Sequence, residues 1–143
     1  MTKFGPAEQV YVENEWYDGP RAGVAAIAGV PHRFKSMYDV DEDNFPDTYL
    51  VWPVTQENLD LEVEQWRIFV DWNTSYELGL AHVDTHPGQG GIDIRWDELE
   101  VALHTQRSNP SFLARTVKAK LTSIHRTPRY ASTGPSYALS WEL

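Results

Sequence analysis

The chain has 143 residues, with 12 Lys+Arg against 21 Asp+Glu for a net charge of −9, 41% hydrophobic residues and no cysteine. That length suits one domain around a single core, and no apolar run approaches the roughly 20 residues of a membrane span. The missing thiols exclude disulfides, cysteine nucleophiles, iron–sulfur clusters and thiolate zinc sites.

Taken in chain order, the first elements alternate as strands do. Val10, Val12 and Trp16 share one phase in a run that stops at the turn signal Asp18-Gly19-Pro20, and Gly23 to Ile27 resumes with small and β-branched residues. Gly29-Val30-Pro31 marks a second break. After it His32, Phe34, Ser36 and Tyr38 alternate with Arg33, Lys35 and Met37, the pattern of a half-buried strand. Asp39 to Asp47 reads as an acidic loop, and Thr48 to Val54 as a fourth strand that ends or lies at an edge because of Pro53.

From Thr55 the period lengthens. A threonine hydroxyl caps free N–H groups, Glu57 suits the positive end of the helix dipole, and Leu59, Val63, Trp66 and Val70 recur at helical spacing. Glu57, Asp60, Glu64, Arg67 and Asp71 take the opposite face of this helix, predicted over residues 56–73. Gly79 ends it or its continuation, and His82 to Gly91 reads as a loop. Asp93 caps a shorter helix over 94–105 with Trp96, Leu99 and Leu103 on its seam.

Strands return at the end. Ala114 to His125 alternates a mostly apolar face with Thr116, Lys118, Lys120 and Thr122; Tyr137, Leu139, Trp141 and Leu143 share an apolar face in the last segment. Strands, helices and strands in that order predict a single α+β domain over 1–143. Its expected form is a mainly antiparallel twisted sheet with one long and one shorter helix packed on it.

Charge is unevenly distributed. Residues 1–100 hold 20 of the 21 acids and 6 of the 12 basic residues, so the remaining 43 residues are basic. The two parts are expected to attract one another.

The segment Trp16-Tyr17-Asp18-Gly19-Pro20-Arg21-Ala22-Gly23, with Gly29-Val30-Pro31-His32-Arg33-Phe34 and then Trp66 and Trp72, resembles a family of small bacterial proteins to which no activity is attached. The likeness covers the first half of the chain. It implies a compact bacterial cytoplasmic domain and carries no ligand or catalytic residue. The opening Met-Thr-Lys-Phe-Gly-Pro also lacks the apolar stretch of a signal peptide, which predicts a cytoplasmic protein.

Several groupings carry possible chemistry. His82, Asp84 and His86 supply two imidazoles at i and i+4 with a carboxylate between them, a metal-binding pattern on a helix. Gly79 before them and Pro87-Gly88 after them favour the competing reading of two solvated loop histidines. His32, His104 and His125 complete a ligand set only if the fold gathers them. Asp39, Asp41 and Asp43 begin a calcium-loop pattern, but Asn44 and Leu50 stand where a glycine and a bidentate glutamate belong, so a solvated acidic loop is the reading preferred.

Asp18 and Arg21 join a charged turn to the aromatic neighbours Trp16 and Tyr17. Arg21 there either reaches a ligand carboxylate or phosphate, or pairs with its own turn. Trp66 and Trp141 fall on apolar phases and are core candidates, whereas exposure of Trp16, Trp52, Trp72 or Trp96 marks a binding surface. The ligand-binding candidates are therefore Trp16, Asp18, Arg21, Trp52 and Trp72.

There is no P-loop, GxGxxG, GxSxG or HExxH pattern, and no cofactor is expected. The net charge argues against nucleic acid despite Lys118, Lys120, Arg126 and Arg129, and no membrane partner is expected. The leading expectation is a non-enzymatic binding module for a basic protein, using an acidic surface that includes Glu57, Asp60, Glu64 and Asp71. A homodimer through Tyr137–Leu143 or the strand ending at Pro53 is a variant. The alternative is a small metal-dependent hydrolase or small-ligand-binding protein using His82, Asp84, His86 and Arg21.

Overall fold

At Asp18-Gly19 the chain reverses because both residues hold positive φ, 54° and 126°, a conformation that Asp tolerates and Gly favours. The turn joins β1 (Glu8–Trp16) to β2 (Pro20–Ile27) in an antiparallel hairpin. The computed structural model describes residues 3–37, 47–124 and 128–142. The acidic stretch from Asp39 to Asn44, expected as a solvated loop, together with Tyr38, His125, Arg126 and Leu143, lies outside the described residues. A second tight turn at Ala28-Gly29 leads to β3 (Val30–Ser36), and the Glu8 carboxylate accepts the backbone N–H of both turn residues at 2.9 Å.

β4 (Thr48–Pro53) pairs with β3, and β5 (Arg115–Ser123) pairs with the other side of β4. A short ribbon of β6 (Tyr130–Ala131) and β7 (Gly134–Pro135) precedes β8 (Tyr137–Glu142). Gly134 is required there, since φ is 127° and an added Cβ would sit 2.1 Å from the Val10 carbonyl oxygen. β8 pairs with β5 on one side and β1 on the other, which closes a six-stranded antiparallel barrel.

An α+β arrangement with antiparallel strands holds, but the expected twisted sheet is corrected to a closed barrel. The closing pairs, Glu8 with Leu139 and Gln9 with Ala138, give the outer strands their missing backbone partners. The two proposed dimerisation edges consequently have neighbours on both sides.

The barrel interior is filled by Val10, Ala25, Ile27, Phe34, Tyr49, Val51, Val117, Ala119, Tyr137, Leu139 and Trp141. The shared phase expected for Val10 and Val12 fails. Val10 faces Ala25 and Val12 faces Val24, adjacent residues of β2, so a bulge at this point turns Val12 outward. The outward face is also covered: Val24, Arg33 and Trp52 are cross-strand neighbours, all nearly or fully buried.

Two helices account for this cover. α1 (Gln56–Glu77) begins where Thr55 Oγ1 accepts the Asn58 N–H at 3.0 Å, as the capping pattern predicts. It runs past the expected end at residue 73 and stops in a Schellman motif, where Gly79 at φ 75° donates to Tyr76 O and Leu80 donates to Ser75 O. Val12, Val24 and Val54 meet Leu59, Trp66 and Val70 of α1 in a second apolar cluster. α2 (Ile94–Ser108) starts at the Asp93 cap, overruns the expected residue 105, and buries Leu99 and Leu103 completely.

Two core tyrosines set an alkaline limit on this structure. Burial raises the hydroxyl pKa of Tyr49 and of Tyr137, and the Glu13 carboxylate raises Tyr137 further. Both bind their protons more tightly folded than unfolded, where the value is about 10. Their contribution to stability is therefore complete below about pH 10 and lost as the pH rises above it. Tyrosinate absorbance from these two side chains is expected to grow together with the loss of near-UV circular dichroism; ionisation of both in a still-folded chain would contradict their burial.

Candidate functional site

Glu62 sits on the apolar stripe of α1, three residues after Leu59 and four before Trp66, and only 1% of it is exposed. A carboxylate there needs cationic partners from outside the helix. Arg33 of β3 supplies one through Nη2. Arg107 of α2 supplies the other, with Nη2 donating to Oε1 at 2.6 Å and Nε to Oε2 at 3.0 Å. Arg33 also donates to Asn14 Oδ1 (2.8 Å), while Arg107 reaches Gln65 Oε1 (2.6 Å) and Glu100 Oε1 (3.1 Å). Barrel and helices are thus joined through one buried acid.

The two arginines experience this differently. Burial holds the Arg33 pKa down against the pull of Glu62, and Arg107 repels it further. Burial also works against the charge of Arg107, but Glu62 and Glu100 more than offset it and the pKa rises. Both remain guanidinium ions at any ordinary pH.

Above this network lies a cleft of about 420 Å³ between β1, the helices and the β6 ribbon. Trp16, Trp66, Phe69, Trp96 and Tyr130 form its walls, with His86 at one end. Glu13, Asn14, Glu15, Gln65, Glu100 and Arg107 provide its polar groups. Three carboxylates line it: Glu100 completes the neutralisation of Arg33 and Arg107, which share the single charge of Glu62, Glu13 is paired with Arg129, and Glu15 is left. Glu15 is exposed and its carboxylate has no hydrogen bond or ion pair among the described residues, and both described bonds to Glu100 use Oε1, leaving Oε2 open. The indole N–H groups of Trp16 and Trp96 are likewise unengaged among the described residues.

At the rim Arg129 donates to Glu13 Oε1 (2.9 Å), which also accepts the Tyr137 hydroxyl (2.9 Å). The guanidinium carbon lies 4.8 Å from the ring centre of Trp16 and 4.6 Å from that of Tyr130. The attraction expected between the basic end and the acidic front of the chain is visible in Arg107 and Arg129. Lys118 and Lys120 of β5 instead stay exposed.

The residues singled out from the sequence are dispersed. Trp16 is 47% exposed and lines the cleft, whereas Trp52 is completely buried under the helices. Arg21 is buried and serves its own turn: Nε donates to Tyr17 O (2.7 Å), Nη2 to Asp18 O (2.7 Å) and Nη1 to Ser36 Oγ (2.9 Å). Asp18 is exposed beside it. Trp72 is stacked on Tyr76, donates to Thr85 Oγ1 (3.0 Å) and belongs to a separate shallow depression with Leu80 and Ile92.

His82 and His86 precede successive 3-10 turns, not a helical face. Each Nδ1 accepts a backbone N–H, from Asp84 and Gly88 respectively, and the His86 ring packs against Phe69 and Trp72. The Asp84 carboxylate lies 3.1 Å from His82 Nδ1. Among the described residues no three histidine, aspartate or glutamate side chains are grouped to hold a metal ion.

Glu13, Gln65, Glu100, Arg107 and Tyr130 were not among the sequence candidates for the site. Only Glu62 beneath them had a local signal, a charge set into an apolar helical stripe. No helix among the described residues is long and apolar enough to cross a membrane. No family model, no curated protein and no solved structure matches the chain, so the cleft itself has to supply the functional reading.

Proposed function

We propose that the protein is a non-enzymatic binding module, and that the cleft beside β1 receives a basic side chain of a partner protein. One observation carries this: five aromatic side chains wall a cleft whose one uncompensated charge among the described residues, Glu15, is anionic, with Glu100 Oε2 free to accept beside it. A cation over aromatic faces gains about 0.5 to 2 kcal/mol, and a nearby carboxylate adds to it. An anionic ligand would meet the same carboxylates and be repelled. The acidic face of α1, with Glu57, Asp60 and Asp71 exposed, extends the attraction beyond the cleft and favours encounter with a basic surface.

A short peptide rich in Arg and Lys, titrated against the protein while tryptophan fluorescence is followed, tests the reading. Binding is expected at low salt and is expected to weaken between about 0.01 and 0.15 M ionic strength, where the Debye length shrinks from about 30 to 8 Å. Glu15→Gln combined with Trp16→Ala is expected to weaken it by about tenfold, the sum of a cation–π contact and an exposed ion pair. Both positions are exposed, so the variant retains the core. Affinity unchanged in the variant, or indifferent to salt, would exclude the cleft as the cation site.

A further inference from the structure

We infer that Glu13, Trp16, Tyr130 and Tyr137 form a guanidinium subsite at the rim of the cleft, and that Arg129 occupies it as an internal competitor for an arginine side chain of the partner. This rests on the reading of the cleft as a cation site.

The chain's own geometry shows which cation the rim fits. The Arg129 guanidinium carbon lies within 5.6 Å of three aromatic ring centres, those of Trp16, Tyr130 and Tyr137, and an amino group bonds Glu13 at 2.9 Å. A planar guanidinium can stack its face on rings while its N–H groups point in plane to acceptors; a compact ammonium turns part of its three N–H groups toward the rings and keeps fewer for the carboxylate. Tyr137 fixes the acceptor by donating to the same Glu13 oxygen, whose side chain is only 5% exposed.

Arg129 is held incompletely. Its side chain remains 36% exposed, and its other amino group, Nη1, is buried without a hydrogen-bond partner among the described residues. Glu13, Trp16 and Tyr130 contact Arg129 and also line the cleft. A guanidinium entering from the cleft therefore competes for the same carboxylate and the same ring faces. Removing Arg129 frees them, and if Arg129 fills the subsite nine-tenths of the time, the apparent affinity for an outside guanidinium rises about tenfold.

The partner's side chain and a free guanidino metabolite share this chemistry but differ in what surrounds the guanidinium. N-acetyl-arginine, which has no α-ammonium, carries a carboxylate that the Glu15 and Glu100 carboxylates repel; an arginine within a peptide chain carries none.

The test compares the wild-type protein with Arg129→Ala by titration of the Trp16 indole N–H resonance and by melting. Methylguanidinium is expected to bind Arg129→Ala about tenfold tighter than wild type, and methylammonium to gain far less. N-acetyl-arginine N-methylamide is expected to bind the variant more tightly than N-acetyl-arginine does. Should Arg129→Ala fold poorly, methylguanidinium is expected to raise its Tm where equal methylammonium does not, and Arg129→Lys, which keeps the charge without the planar fork, is expected to be rescued in the same way.

Equal methylguanidinium affinity in wild type and Arg129→Ala, or no preference over methylammonium, overturns the subsite. Tighter binding of N-acetyl-arginine overturns the assignment to a partner's side chain. Either failure is separable from failure of the cleft reading, which is decided by the basic peptide and the Glu15→Gln, Trp16→Ala variant.

Discussion

Glu62→Gln is expected to lower the unfolding free energy by about 3 to 5 kcal/mol, the cost of removing one member of a buried ion pair. The substitution preserves shape and removes only the negative charge, yet it leaves Arg33 and part of Arg107 without compensation in a water-poor layer. Arg33 suffers most, because its side chain is 3% exposed and its Nε is already buried without a hydrogen-bond partner among the described residues. Arg107 is better protected by 19% exposure and by its bonds to Glu100 and Gln65. The double variant Arg33→Met, Glu62→Leu is accordingly expected to recover much of the loss, since well-packed apolar groups replace buried ion pairs at little cost. Urea unfolding of the three proteins measures both effects. A Glu62→Gln protein within about 1 kcal/mol of wild type would mean that Glu62 does not carry a buried negative charge.

That network also marks the limit of what the sequence discloses. Turns and caps depend on a few adjacent residues, so Asp18-Gly19, Thr55, Gly79 and Asp93 are legible, and each stands where its local chemistry requires. Barrel closure depends on Glu8 and Gln9 meeting Leu139 and Ala138 from the opposite end of the chain, and no local pattern encodes that meeting. The bulge that separates Val10 from Val12 defeats strand alternation, which assumes an unbroken pleat. The cleft is harder still to foresee. Its groups come from β1, both helices and the β6 ribbon, and the Glu13–Arg129 contact spans 116 residues. An acidic chain offers many carboxylates, and only the fold selects Glu13, Glu15 and Glu100 to face aromatic rings. Glu62 is the exception, because its neighbours on the helix are apolar and its charge is conspicuous among them.

Trp66→Ala is expected to cost a similar amount, about 3 to 5 kcal/mol, by a different route. Trp66 is 4% exposed and shares a cluster with Val12, Val24, Leu59 and Val70, so truncation opens a cavity that the barrel wall cannot fill. Its ring also packs against Phe69 and Tyr130, with centroids 5.5 and 5.7 Å away, and its Nε1 donates to Ala131 O at 2.7 Å. Losing that donor removes the hydrogen bond between α1 and the β6 ribbon and leaves the contact of Phe69 with Tyr130 to hold that wall of the cleft. Trp66→Phe separates the two contributions: it retains a large ring and gives up the indole N–H, so a loss of about 1 to 2 kcal/mol is expected. For a domain of this size, about 3 °C per kcal/mol converts the alanine effect into a fall in Tm of roughly 10 to 15 °C. A Trp66→Ala protein that melted within about 2 °C of wild type would show that α1 is not anchored to the barrel through this side chain. If the variant instead melted early while Trp66→Phe stayed close to wild type, the indole would be acting mainly as packed volume, and the bond to Ala131 would contribute little to joining helix and ribbon.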